Sequence, residues 1–226
     1  MNNKTSTLLV TLIAVICGLY IINQFILGHF FTNPRAVRTD VLQGFLIGYG
    51  LAFVTLYVYA RTRATKKVNG WTTMFGCSEP GNGMLLRAAH TLIFPGPLNV
   101  PKEAMYWTTS IDGAGHTLSG RNNYIMHFPP GGLPPNNGFW SLTMGDAQNR
   151  FVANPIDRYS LNDRTGFAQN ADGSVDIYIQ NTAPAGHESN WLPAPTGNFI
   201  LWLRAYVPGQ SILGGEYEVP PLAEVK

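Results

Sequence analysis

Cysteine is almost absent from this chain. Cys17 and Cys77 are the only two in 226 residues, and Cys17 sits inside an apolar run that no partner thiol approaches, so no disulfide framework is indicated. Ile16 stands where a lipoprotein signal wants a small residue before the cysteine, which argues against lipidation. Charge is scarce as well: 12% of residues are Asp, Glu, Lys or Arg against 45% hydrophobic, a balance that leans toward a membrane. Residues 68–226 hold eight basic against twelve acidic residues, a net of −4, so nucleic acid is not an expected partner. Signatures of catalysis are missing too. The five histidines (His29, His90, His116, His127, His187) contain no His-x-His pair and no i, i+4 pair. A three-ligand metal site gathered from distant strands is therefore disfavoured. Ser141 lacks the flanking glycines of a nucleophile elbow, and no glycine loop follows a strand as a phosphate cradle would. Asp157, Asp163, Asp172 and Asp176 fall at turns or on a wet strand face, where solvated acids are the rule. No cofactor and no metal are implied, and no catalytic residue is assigned.

What the chain does have is two long uncharged runs. Residues 6–31 and 41–60 carry no charged side chain, and each is long enough to cross about 30 Å of hydrocarbon as a helix. The nine residues TNPRAVRTD between them suffice only for a tight loop. Residues 1–67 are thus expected to be a two-helix transmembrane hairpin with a basic collar. Gly44 and Gly48 make a Gly-xxx-Gly face on the second span, and Ala14 and Gly18 a small-xxx-small face on the first, which lets helices approach closely in lipid. Asn23 and Gln24 lie within the first span and need hydrogen-bond partners there. These faces serve either hairpin packing or docking against other membrane subunits. Lys4 and the Arg61, Arg63, Lys66, Lys67 cluster outweigh Arg35 and Arg38, which places both termini and the remaining domain in the cytoplasm; the alternative is a periplasmic domain.

Residues 68–83 read as an interfacial linker, with Trp71 and Phe75 as surface anchors. A short amphipathic helix follows over Gly83–Thr91, stopped by Phe94-Pro95-Gly96-Pro97. Strands are expected at Ala104–Ile111, Asn123–Phe128, Phe139–Met144, Phe151–Ala153, Ser174–Asn181 and Phe199–Val207, with a short edge strand near Tyr217. In Ser174–Asn181, Val175, Ile177 and Ile179 alternate with Asp176, Tyr178 and Gln180, so one face is core and the other wet. The expectation is a mainly β chain: residues 84–226 form an antiparallel, jelly-roll-like β-sandwich with one short preceding helix, attached to the hairpin.

The strings YIMHFPPGGLPP, FWSLTMGD, NPIDRYSL, NADGSVDIYIQN, NWLPAP and FILWLRAY, within Tyr124–Tyr206, resemble the bacterial family of domains of unknown function numbered 1214. The resemblance extends over residues 84–224. It implies a β-sandwich, often found downstream of a sister domain numbered 1254, and no activity. Within its strings the candidate ligand-binding residues are His127, Arg158, Asn190, Trp191 and Arg204. Arg204 shares a strand face with Trp202 and Tyr206, where guanidinium can stack on rings or hold an anion. The expected function is a membrane-anchored, non-catalytic sandwich, an accessory subunit of an inner-membrane complex whose partners are the bilayer and other membrane proteins. The alternative is an enzyme or a module that binds a small ligand or carbohydrate in the sandwich mouth.

Overall fold

In a computed structural model, residues 17–18, 20–21, 34–73, 79, 81–93 and 99–225 are described. Most of the first expected span, with Ala14, Asn23 and Gln24, lies outside them; Cys17, Gly18, Tyr20 and Ile21 are helical. The chain divides into two compact units, Met1–Val58 and Tyr59–Lys226.

Among the described residues the first unit holds helix α1, Pro34–Tyr59, whose last residue opens the second unit. The start of α1 corrects the tight loop expected over residues 32–40, because residues 34–40 are helical. The reason is local: proline at a first helical position loses no hydrogen bond and presets φ, and Arg35, Ala36, Val37 and Arg38 are all compatible with helix. Residues Thr39–Thr62 are apolar enough to cross a membrane, with a mean hydropathy of 1.8 and none of the apolar window buried. Among the described residues this is the one such helix.

In the second unit, one π-helical turn, Ala60–Ala64, leads through Thr65 into strand β1, Lys66–Val68. Asn69 and Gly70, both at positive φ (53° and 84°), make the tight turn to β2, Trp71–Thr73, as an Asn-Gly pair does in a two-residue hairpin. Helix α2 covers Met84–Ile93, and its Leu86 and Ala89 pack on Tyr59 and Ala60. The remaining strands are β3 (Ala104–Thr109), β4 (Asn123–Phe128), β5 (Asn136–Asp146), β6 (Ser160–Asn162), β7 (Val175–Gln180), β8 (Trp191–Pro193), β9 (Phe199–Pro208) and β10 (Leu222–Val225). A single helical turn, α3 (Gln210–Leu213), lies between the last two.

Two sheets result, ordered β1-β2-β3-β9-β5-β6 and β10-β4-β7-β8. They share one core, in which Trp107, Leu142 and Leu203 of the first meet Met126, Ile177 and Leu192 of the second. Aromatic rings bridge the layers: Tyr124 meets Phe199 edge-on at 5.8 Å, and Phe128 lies 6.2 Å from Trp140. The chain is a mainly β, two-sheet protein with few helices, as the strand pattern implied.

Four local expectations are corrected. Trp71 is not a membrane anchor: it is 1% exposed inside the sandwich core, and its indole donates to the Pro220 carbonyl at 2.8 Å. Phe151–Ala153 is not a strand. Asp146 Oδ1 accepts the Gln148 and Arg150 amides and Asn154 Oδ1 those of Ile156 and Arg158, so side chains capture the flanking backbone in turns. The strand forms later, at Ser160–Asn162. Tyr217 lies outside any strand because its amide is taken by the Ser211 carbonyl; the edge is closed by β10. Finally, β7 and β8 pair in parallel, since the chain between them returns through the 3₁₀ turn Glu188–Asn190 rather than a hairpin.

Candidate functional site

Of the five candidate ligand residues, three gather at one corner. Asn190 is 3% exposed; its Nδ2 donates to the carbonyls of Ala168 (2.8 Å) and Asp176 (2.9 Å), while its Oδ1 accepts the Ala168 amide and the Ser189 hydroxyl. The Trp191 indole donates to the Gln180 carbonyl at 2.9 Å. Arg158 Nη1 donates to the carbonyls of Glu188 (2.7 Å) and Trp191 (2.8 Å). These groups tie the 154–158 loop, the 3₁₀ turn and β7 together. Apart from the Ser189 hydroxyl, the partners of these hydrogen bonds are all backbone groups.

His127 stands apart from that corner, on the outer face of the four-stranded sheet, where its Nδ1 lies 2.6 Å from Asp176 Oδ1 across the β4–β7 pair. Asn170 Nδ2 donates to the other oxygen of Asp176, and nearby the His187 ring stacks on Tyr178 at 4.6 Å.

Arg204 belongs to the other sheet. On the register of β9 with β3 and β5 it lies between Tyr106 and Ser141, with its guanidinium 5.8 Å from the Trp202 ring and Nη1 3.3 Å from the Thr143 hydroxyl. Phe139 stacks on Tyr206 at 4.3 Å one row away. The loop after β5 folds over the other end of this face, where Asn149 Oδ1 accepts the Trp202 indole at 2.7 Å. That loop is held by Asp146, whose carboxyl lies below the ordinary range because the Arg150 amide and then its guanidinium stabilise the anion. Arg204 takes part in none of the ion pairs among the described residues.

On α1, Gly44, Gly48 and Gly50 have nothing within 4 Å of an added Cβ. Phe45, Leu46, Ile47 and Tyr49 around them are all more than half exposed. A helix surface of this kind needs lipid or protein over it.

A further cluster is one that histidine spacing does not reveal. Asp112, His116 and Glu224 bring one ligand atom each to within 4.8 Å of one another. The sequence signal available was Asp-x-x-x-His across a Gly-rich turn, a mixed pair rather than a histidine pair. Asp112 is 2% exposed; burial pushes its carboxyl up, but the amides of His116 and Ala114 and the His116 ring outweigh this and hold it below the usual value.

Residues 103–210 match the family model described as "Protein of unknown function (DUF1214)", so the resemblance carried by the strand strings holds from β3 to the end of β9. The fold is shared with the crystal structure of the VPA0106 protein from Vibrio parahaemolyticus, at 24% identity and a TM-score of 0.63 over 86% of this chain and 46% of that one. An uncharacterized protein from Burkholderia cenocepacia is 14% identical with a TM-score of 0.38, over 96% of this chain and 49% of that one. The chain thus spans about half the length of these solved structures. No curated protein matches it.

Proposed function

We propose that the protein is a membrane-anchored, non-catalytic β-sandwich that serves as an accessory or stabilising subunit of an inner-membrane protein complex. The observation that carries this reading is the uncovered surface of α1. A 24-residue apolar span with none of its apolar window buried, bearing the open Gly44-Gly48 face, suits a helix that docks on other helices in lipid. On this reading residues 6–31 form the other span of a hairpin, with Ala14 and Gly18 as its close-packing face and Asn23 and Gln24 needing partners between helices. The basic cluster after α1 puts both termini and the sandwich in the cytoplasm. Supporting the non-catalytic reading, the Arg158, Asn190 and Trp191 side chains are engaged in loop hydrogen bonds.

The test is co-purification from native membranes in mild detergent. The full chain is expected to bring a reproducible set of membrane subunits, and Gly44→Leu with Gly48→Leu to lose them. Recovery of free monomer alone sinks the reading. Labelling of Cys77 in intact cells by an impermeant thiol reagent would move the sandwich to the periplasm.

A second reading, a small-ligand or carbohydrate-binding module, is favoured by the Arg204 face with its Trp202 and Tyr206 rings. It shifts the site from the sandwich mouth to the outer sheet face.

A further inference from the structure

We propose that Asp112, His116 and Glu224 bind one divalent transition-metal ion of the zinc class, fastening the β3–β4 turn to the C-terminal strand. Asp112 is the buried member of the set. Its Oδ1 accepts the amides of Ala114 at 2.9 Å and His116 at 2.8 Å, so one oxygen orients the carboxylate and the other, Oδ2, faces His116. In metal sites, hydrogen bonds of this kind on the far oxygen aim a ligand.

Asp112 Oδ2 and His116 Nδ1 are 3.4 Å apart, whereas His127 and Asp176 have closed to 2.6 Å. The shorter separation is a charge-assisted hydrogen bond. The longer one is close to the edge of a tetrahedron built on zinc bonds of roughly 2.0–2.1 Å, about 3.4 Å.

Glu224 completes the set from the other end of the sequence. Its carboxylate lies within 4.8 Å of both partners, and its exposed side chain needs to close by at most about 1.4 Å to reach a tetrahedral edge. The backbone already holds the two segments together. Gly113 donates to the Leu222 carbonyl at 2.9 Å, and a Cβ at Gly113 would sit 2.7 Å from Pro221 Cβ. The donors therefore converge through hydrogen bonding of the fold itself. Two carboxylates balance the charge of a divalent ion, and imidazole with carboxylate suits zinc, with water in the fourth position. Calcium, which takes six to eight oxygen donors, fits poorly.

The experiment uses the full chain in detergent, stripped with a chelator and titrated calorimetrically with ZnCl₂. One saturable equivalent and a rise in Tm are expected. His116→Ala and Glu224→Gln each replace an exposed side chain. Each is expected to weaken zinc binding by more than the roughly 10–100-fold that loss of an outer hydrogen-bond partner costs. His127→Ala should titrate like the wild type. Circular dichroism of the metal-free forms checks that the variants are folded, and Glu224→Gln alone carries the test if His116→Ala is not. Failure of the wild type to saturate at one equivalent, or Glu224→Gln binding as tightly as the wild type, overturns the site.

Discussion

Asn190, 3% exposed, braces the corner where the Ala168 loop meets β7. Its amide satisfies three backbone groups at a buried corner, and each buried group left unpaired costs about 1–3 kcal/mol. Asn190→Ala is accordingly expected to destabilise the sandwich by roughly 2–4 kcal/mol in chemical denaturation; a change below 1 kcal/mol would contradict this account. Polar residue types at a turn are visible in a sequence, but whether they face ligand or backbone depends on loop closure, which no local pattern encodes. Arg158 and Trp191 were ambiguous for the same reason. Acid sensitivity is also set at this scale. Asp172 is held below the ordinary carboxylate range by the Ser174 hydroxyl and amide, Glu188 by its own amide and that of Gly186, and Asp112 and Asp146 lie low as described. A depressed folded-state value contributes stability that is complete above the unfolded value and is lost as pH falls through the folded one. Tm measured from pH 7 downward is expected to hold until about pH 4, the unfolded carboxylate range, and to fall below it. A Tm unchanged at pH 3 would contradict this.

Strands with clean alternation were legible as elements. Asn123–Phe128 stands where the pattern puts it, and β7 buries Val175, Ile177 and Ile179 as its period-two pattern requires. The β1–β2 hairpin escaped, although Asn69-Gly70 is a strong short-range turn signal, because a basic cluster beside an apolar run reads first as a membrane collar. Position decided against composition there: Trp71 fills the sandwich core. Short strands such as β6 and β8, with three residues each, carry too little pattern to be seen, and the parallel β7–β8 pair depends on the path of a loop. At the hairpin, Gly70→Ala places a Cβ 2.8 Å from the Asp112 carbonyl oxygen at a φ of +84°. It is expected to cost more than about 1 kcal/mol, read as a lowered denaturation midpoint. An unchanged midpoint would show that the turn relaxes without strain.

For the whole molecule, the division at Tyr59 places the entire sandwich core in one unit. A chain beginning at Tyr59 is expected to be recovered in the soluble fraction and to melt in one cooperative transition, whereas the full chain requires detergent; the test is fractionation followed by circular dichroism. Persistent sedimentation of the shortened chain with membranes would mean that the sandwich itself adheres to lipid. The manner of attachment has a mechanical consequence. Only Thr65 separates the π-helical turn from β1, and β1 holds β2 through three residue pairs, Lys66 with Thr73, Lys67 with Thr72 and Val68 with Trp71. Tension entering along the chain from the helix meets Tyr59 and Ala60, packed on Leu86 and Ala89 of α2, and then the three β1–β2 pairs at the margin of the sheet, which open one after another, like a zip. Lys66, which also donates to the Gly215 carbonyl, and Lys67 lie at the end that opens first, so the tether can lengthen by a few residues under pull while the β3–β9–β5 body keeps its pairing.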